Sequence, residues 1–192
     1  MEYSVSTLKT NTIQAATGTT VNVTSGQVLY APGHVVQMPF TQYTSTTTQS
    51  ITGQTSTAIT VLTVNITPKS TSSIIRLDSN IMFEWGVASN TYSGMWFFYR
   101  DTTKLAHTQT GSRLCGISTS LSSHSASDDD STPEMAIVTY FDSPSTTSQI
   151  TYKLGVECYS TDTLHINRTV GDTDSKSFER GVSFISATEI AQ

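Results

Sequence analysis

Apolar and polar side chains alternate with a period of two over several long stretches of the chain. In IIRLDSNIMFEW, Ile75, Leu77, Ser79, Ile81, Phe83 and Trp85 fall on one face, with Arg76, Asp78, Asn80 and Glu84 on the other. In QITYKLGVECY, Ile150, Tyr152, Leu154, Val156 and Cys158 point one way and Gln149, Thr151, Lys153 and Glu157 the other. Successive side chains of a strand point to opposite faces, so each segment can set one face on a core and the other on water. The pattern predicts an all-β, antiparallel β-sandwich, jelly-roll-like, with strands near 35–43, 58–67, 74–85, 94–100, 104–109, 135–142, 149–159, 163–169 and 180–190. No long 3.6-residue periodicity interrupts it. Two connectors, Pro68 to Ser73 and Pro144 to Ser148, each place a proline and a run of hydroxyl residues before an inward-facing strand, and they suggest a pseudo-repeat of hairpins.

One strand departs from simple alternation. Met95, Trp96, Phe97, Phe98 and Tyr99 are apolar on both faces, which implies burial on both sides. One face is expected against the sandwich core and the other against a second layer or a neighbouring subunit. These five residues are the candidate subunit interface.

Residues 1–35 are too poor in apolar side chains to enclose a core. Leu8, Ile13, Val21, Val23 and Leu29 are spaced by threonine, asparagine and small residues, so this segment needs a partner surface and reads as an extended β arm for attachment or oligomerisation. Pro32-Gly33 reads as the hinge into a sandwich domain spanning 36–192. Within that domain, 115–134 is the longest irregular stretch and holds the densest acidic run, Asp128, Asp129 and Asp130. Three consecutive side chains cannot converge on one ion, so a solvated loop is expected rather than a calcium site. Asp172 and Asp174 mark a hairpin tip. With Tyr159 as a stacking ring, these two loops are the candidate receptor-contact surface, their carboxylates and hydroxyls suited to a host surface glycan.

About a third of the 192 residues are serine or threonine, while only 13% are charged, so the surface is kept soluble by hydroxyls or hidden in an assembly. The net charge of -5 disfavours nucleic acid, which demands a basic stripe. No stretch approaches the ~20 apolar residues of a membrane span, and the polar start lacks the apolar run of a signal peptide, so synthesis in a cytoplasm without membrane insertion is expected. Cys115 and Cys158 are expected to be buried free thiols. The four histidines are dispersed, no Gly-x-Ser-x-Gly elbow occurs, and nothing selects a carboxylate pair, so neither an enzyme nor a cofactor is expected.

Six segments, taken in order, carry a resemblance: STLKTNTIQAATGTTV, ITPKSTSSIIRL, FFYRDTTKLA, YFDSPSTTSQITYKLGV, HINRT and the closing RGVSFISATEIA. Together they resemble small fibre-like virion proteins of tailed bacteriophages, especially marine phages and cyanophages, of tail-fibre-like or capsid-decoration type. The resemblance implies a homotrimeric, non-enzymatic protein of the virion surface, joined to other tail or capsid proteins by an amino-terminal attachment segment and carrying a β-sandwich head. The chain is short for a long shaft, which leaves a short fibre, or a capsid cement protein bridging shell subunits.

Overall fold

The alternation of residues 74–85 becomes β5 (Ile74–Trp85), with Ile75, Leu77, Ile81, Phe83 and Trp85 buried and Arg76, Asp78 and Asn80 on the opposite face. A computed structural model describes residues 31–86, 93–109, 111–120 and 131–192, together with 15, 17 and 18. The chain divides into two compact units, residues 1–30 and 31–192. The second unit is all-β, and its strands pair antiparallel throughout.

Two sheets enclose the core. Sheet I contains β1 (Val35–Gln37), β2 (Phe40–Tyr43), β3 (Thr47–Ile51), β5, β9 (Glu134–Asp142), β11 (Asp162–Ile166) and β12 (Ser183–Ile190). Sheet II contains β4 (Thr57–Ile66), β6 (Met95–Arg100), β7 (Thr103–Leu105), β8 (Ser118–Thr119) and β10 (Ile150–Glu157). The short pieces β1, β2 and β3 line one edge of sheet I. Next come β12 and β11, then β5, then β9 at the far edge. Sheet II runs β4, β10, β6, then β7 and β8. Taken as eight strand positions in chain order, the sheets read 1-8-3-6 and 2-7-4-5, the connectivity of a jelly roll. The matched proline-hydroxyl connectors are thus sheet crossings, not hairpin turns: one leads from β4 to β5 and the other from β9 to β10.

The core between the sheets is aromatic at one end, where Phe83 of sheet I meets Trp96 of sheet II at 4.8 Å between ring centroids and Trp85 edge-on at 6.0 Å. Burial of such rings is the main favourable term in closing a sandwich. At the other end Tyr152 donates to Asp142 (2.7 Å), whose carboxylate also takes Arg100 (3.0 Å). Burial and the bond to Asp142 raise the Tyr152 phenol far above its ordinary pKa, so it stays a donor. Cys115 and Cys158 are buried free thiols, and burial pushes Cys158 up to about 11.

The strands run lengthwise, so their turns collect at two ends. At the base, Gly33 donates to Ala191 (2.8 Å) and Ala191 to His34 (2.9 Å), beside the 67–73 and 143–149 connectors. Pro32-Gly33 is a turn pinned to the last strand, with Gly33 at φ +80°. The buried Glu189 carboxylate gathers this end, accepting from Gln37 (2.6 Å), the Lys69 amide (2.7 Å) and Ser73 (2.7 Å). The distal end holds the turns after β3 and β10, the ends of β5 and β8 and the starts of β6 and β9.

Candidate assembly and recognition surfaces

Both faces of β6 are covered within the chain. Trp96 and Phe98 enter the core, while Phe97 lies on the outer face of sheet II and is nonetheless fully buried. Gly155 stands opposite Phe97 in the register and leaves room for its ring; a Cβ there would overlap it. Tyr99 packs edge-on at 5.2 Å, and the Lys104 ammonium sits 4.2 Å above the ring, held by Glu157 (2.6 Å) and Ser56 (3.0 Å). Burial opposes the charge on Glu157, but Lys104 and Ser56 outweigh it and hold its pKa below the ordinary value. The expected interface at residues 95–99 is therefore corrected: Trp96, Phe97 and Phe98 expose nothing to a neighbour, and Met95 and Tyr99 are only half-buried at the margin. Apolarity on both faces was legible, whereas the cover supplied by Gly155 and Lys104 comes from other strands.

The uncovered apolar surface is on sheet I. Among the described residues, the exposed large hydrophobics are Val35, Met38, Phe40, Met135, Ile137, Phe141, Val182 and Tyr159, and all but Tyr159 lie in or beside strands of sheet I. The register places them in rows on its outer face. Phe40 neighbours Ser186, then Asp78 and Thr139; Gln42 neighbours Phe184, then Asn80 and Ile137; Met82 pairs with Met135, and Arg76 with Phe141. Phe40 is 63% exposed, Phe141 59% and Ile137 53%, values belonging to a face awaiting cover. Between them, Arg76 binds Asp78 (2.9 Å), which also accepts from Thr139 (2.8 Å). Met38, Phe40, Gln42, Phe184 and Ser186 wall a hollow of ≈ 570 Å3 beside this ion pair. The sequence carried a signal for this face, because MAIVTYF in β9 is also apolar on both sides.

The distal part of the same face is covered by the chain itself. Asn167 takes a left-handed turn (φ 59°) where β11 ends, and its buried amide donates to the carbonyls of Tyr43 (2.7 Å) and Ser45 (2.9 Å) while accepting from Ser183 (2.5 Å). That amide nitrogen is fully engaged, so the Asn167-Arg168-Thr169 triplet is no glycan acceptor in the folded chain. The excursion 167–182 then caps Glu84, whose carboxylate accepts from the Val170 amide (2.5 Å) and from the amide and hydroxyl of Thr132 (2.7 Å each). Glu84 was expected to face water; it is buried by these two loops.

Asp172 and Asp174 border one hollow of ≈ 430 Å3 with Thr173, Ser175, Phe178 and Arg180. Arg180 grips Asp172 with two bonds of 2.8 Å, and Arg168 approaches to 3.4 Å. The Arg180 bond holds the Asp172 carboxyl below its ordinary pKa and raises the guanidinium. Gly171 is required here, since a Cβ would collide with the Phe178 ring. Tyr159 is 64% exposed in the β10–β11 turn, whose backbone packs on Gly53. The two aspartates share a site, while Tyr159 belongs to a different turn. Asp128, Asp129 and Asp130 lie outside the described residues, as do Leu8, Ile13, Val21, Val23 and Leu29. Among the described residues, no three His, Cys, Asp or Glu side chains converge as a metal site would require. No protein-family model and no curated protein matches the chain.

Proposed function

We propose that the protein is a non-enzymatic structural protein of a bacteriophage virion surface, a homotrimeric fibre-like head joined to the particle by the segment preceding residue 31. The observation that carries this reading is the polarity of the head. Residue 31 leads into the base, where Gly33 is pinned to Ala191, whereas the Asp172 hollow and the turn carrying Tyr159 belong to the distal half. A head built this way can be held at one end and meet a host glycan at the other, with a jelly-roll core indifferent to loop sequence between them. The sequence resemblance to fibre-like phage proteins supports the same assignment, although fold alone would not.

Immunogold labelling of purified particles, combined with deletion of residues 1–30, tests the reading. Gold at the tail and loss of labelling on deletion are expected. Labelling spread over the head lattice would assign the capsid-cement role instead, and a chain absent from particles would end the proposal.

A further inference from the structure

We propose that the outer face of sheet I is the contact between copies of this chain, with the β9 ridge of Ile137 and Phe141 from one copy seated in the Met38, Phe40 and Phe184 hollow of the next. The inference deepens the assembly reading above and rests on it.

Three features select a second copy as the occupant. The first is charge. Between Ile74 and Met82, the outward rows of β2, β12, β5 and β9 carry only Arg76 and Asp78, which neutralise each other. Two such faces meet without net repulsion although the chain carries -5 overall. The outer face of sheet II instead holds Lys104, Lys153 and Glu157, as a solvated face does.

The second is area. β5, β9 and β12 over ~27 Å and the shorter β2 over ~13 Å, at ~4.8 Å spacing, give roughly 450 Å2 in projection, and more in accessible surface. A two-fold pair would use all of this face in one contact, whereas a ring divides it between two neighbours and leaves each contact well below the ~800 Å2 per partner of standard interfaces, dependent on its few aromatic side chains.

The third is shape. The ridge is on the edge strand β9 and the hollow lies across β5 and β12, beside β2, so a chain cannot fill its own hollow with its own ridge. A neighbour can. Ridge into hollow closes two copies about a two-fold axis when both ridges seat at once, and otherwise repeats head to tail until rotation closes a ring; the trimer of the assembly reading requires the second arrangement. Closure hides Phe40, Ile137 and Phe141 together. It also leaves the distal excursion 167–182 outside the contact rows.

The test uses the full chain. Mass photometry at low micromolar concentration should give trimers, and Phe40→Gln and Phe141→Thr should each weaken association by ~100-fold or more, because central aromatic contacts dominate interfaces. Thermal melting under conditions where all are monomeric should be little changed, since both side chains are exposed. For orientation, chains with Phe40→Cys are mixed with chains carrying Ile137→Cys under mild oxidation. A cross-link that needs both variants supports ridge into hollow; a cross-link within either variant alone overturns it. Trimers that survive both aromatic substitutions place the contact elsewhere and leave the assembly reading standing. A monomeric wild type that still decorates particles overturns the copy-to-copy contact and points to a virion partner on this face.

Discussion

Phe97 and Gly155 face each other across the β6–β10 pair, and the missing side chain of one is what lets the ring of the other lie flat on sheet II. The Lys104 ammonium then closes the ring from above. Gly155→Ala should cost about 1–3 kcal/mol through overpacking, with a lower urea midpoint and an unchanged slope. A variant as stable as the parent would mean that the ring can move aside freely.

Glu84 is a buried carboxylate satisfied by three donors from two separate loops. Glu84→Gln puts an amide NH2 where one oxygen accepted, so at least one donor faces another donor. A loss of about 1–3 kcal/mol is expected. Hydrogen exchange should quicken at Thr132 and Val170 before the sheet itself opens, and equal protection in parent and variant would refute the pinning role.

The pH dependence follows from Glu157. Its folded pKa lies below the ordinary 4.5, because Lys104 and Ser56 favour the charged form more than burial disfavours it. A depressed carboxyl contributes stability above its unfolded pKa and loses it as pH falls through the folded value. The stability gap between the parent and Glu157→Gln should therefore shrink as pH is lowered from 6 to below about 4. Urea midpoints at several pH values measure it, and a constant gap would contradict the assignment.

If the distal loops read a host glycan, the Asp172 hollow is where carboxylate, guanidinium and ring come together. Asp172→Asn should slow phage adsorption while leaving particle assembly intact, and replacing Asp128, Asp129 and Asp130 with serine should spare folding, since three consecutive carboxylates read from the sequence as a solvated loop and solvated charges add little stability. Adsorption at the parental rate in both variants would leave the loops as solvated turns.

The alternation that defines β5 and β10 predicts both strands closely, because a half-buried strand writes its two environments into every second residue. β3, TTQSI, carries no such alternation, for the opposite reason. Only Ile51 is a buried apolar side chain there, and the strand is held partly by Gln49, whose amide donates to Ala58 (2.7 Å) and accepts from the Thr60 amide (3.1 Å). Hydroxyl and amide side chains pair edges without leaving a hydrophobic period. The 163–169 expectation overran β11 because Asn167 turns out of the sheet, a choice dictated by carbonyls of Tyr43 and Ser45 more than a hundred residues away in sequence. The outer face of sheet I was obscured in the same way. Its rows are assembled from β2, β12, β5 and β9, which no local window contains together.

The base-to-tip arrangement has a mechanical consequence. Residue 31 joins at one end of strands that run lengthwise, and β1 and β2 are laid antiparallel along β12. Ladder hydrogen bonds stand perpendicular to their strands. A pull between the base and the distal loops thus loads the bonds from Val35 to Tyr43 in shear, all at once, rather than peeling them one by one. With Glu189 clamping Gln37, Lys69 and Ser73 at the base, the sandwich resists tension applied along its strands.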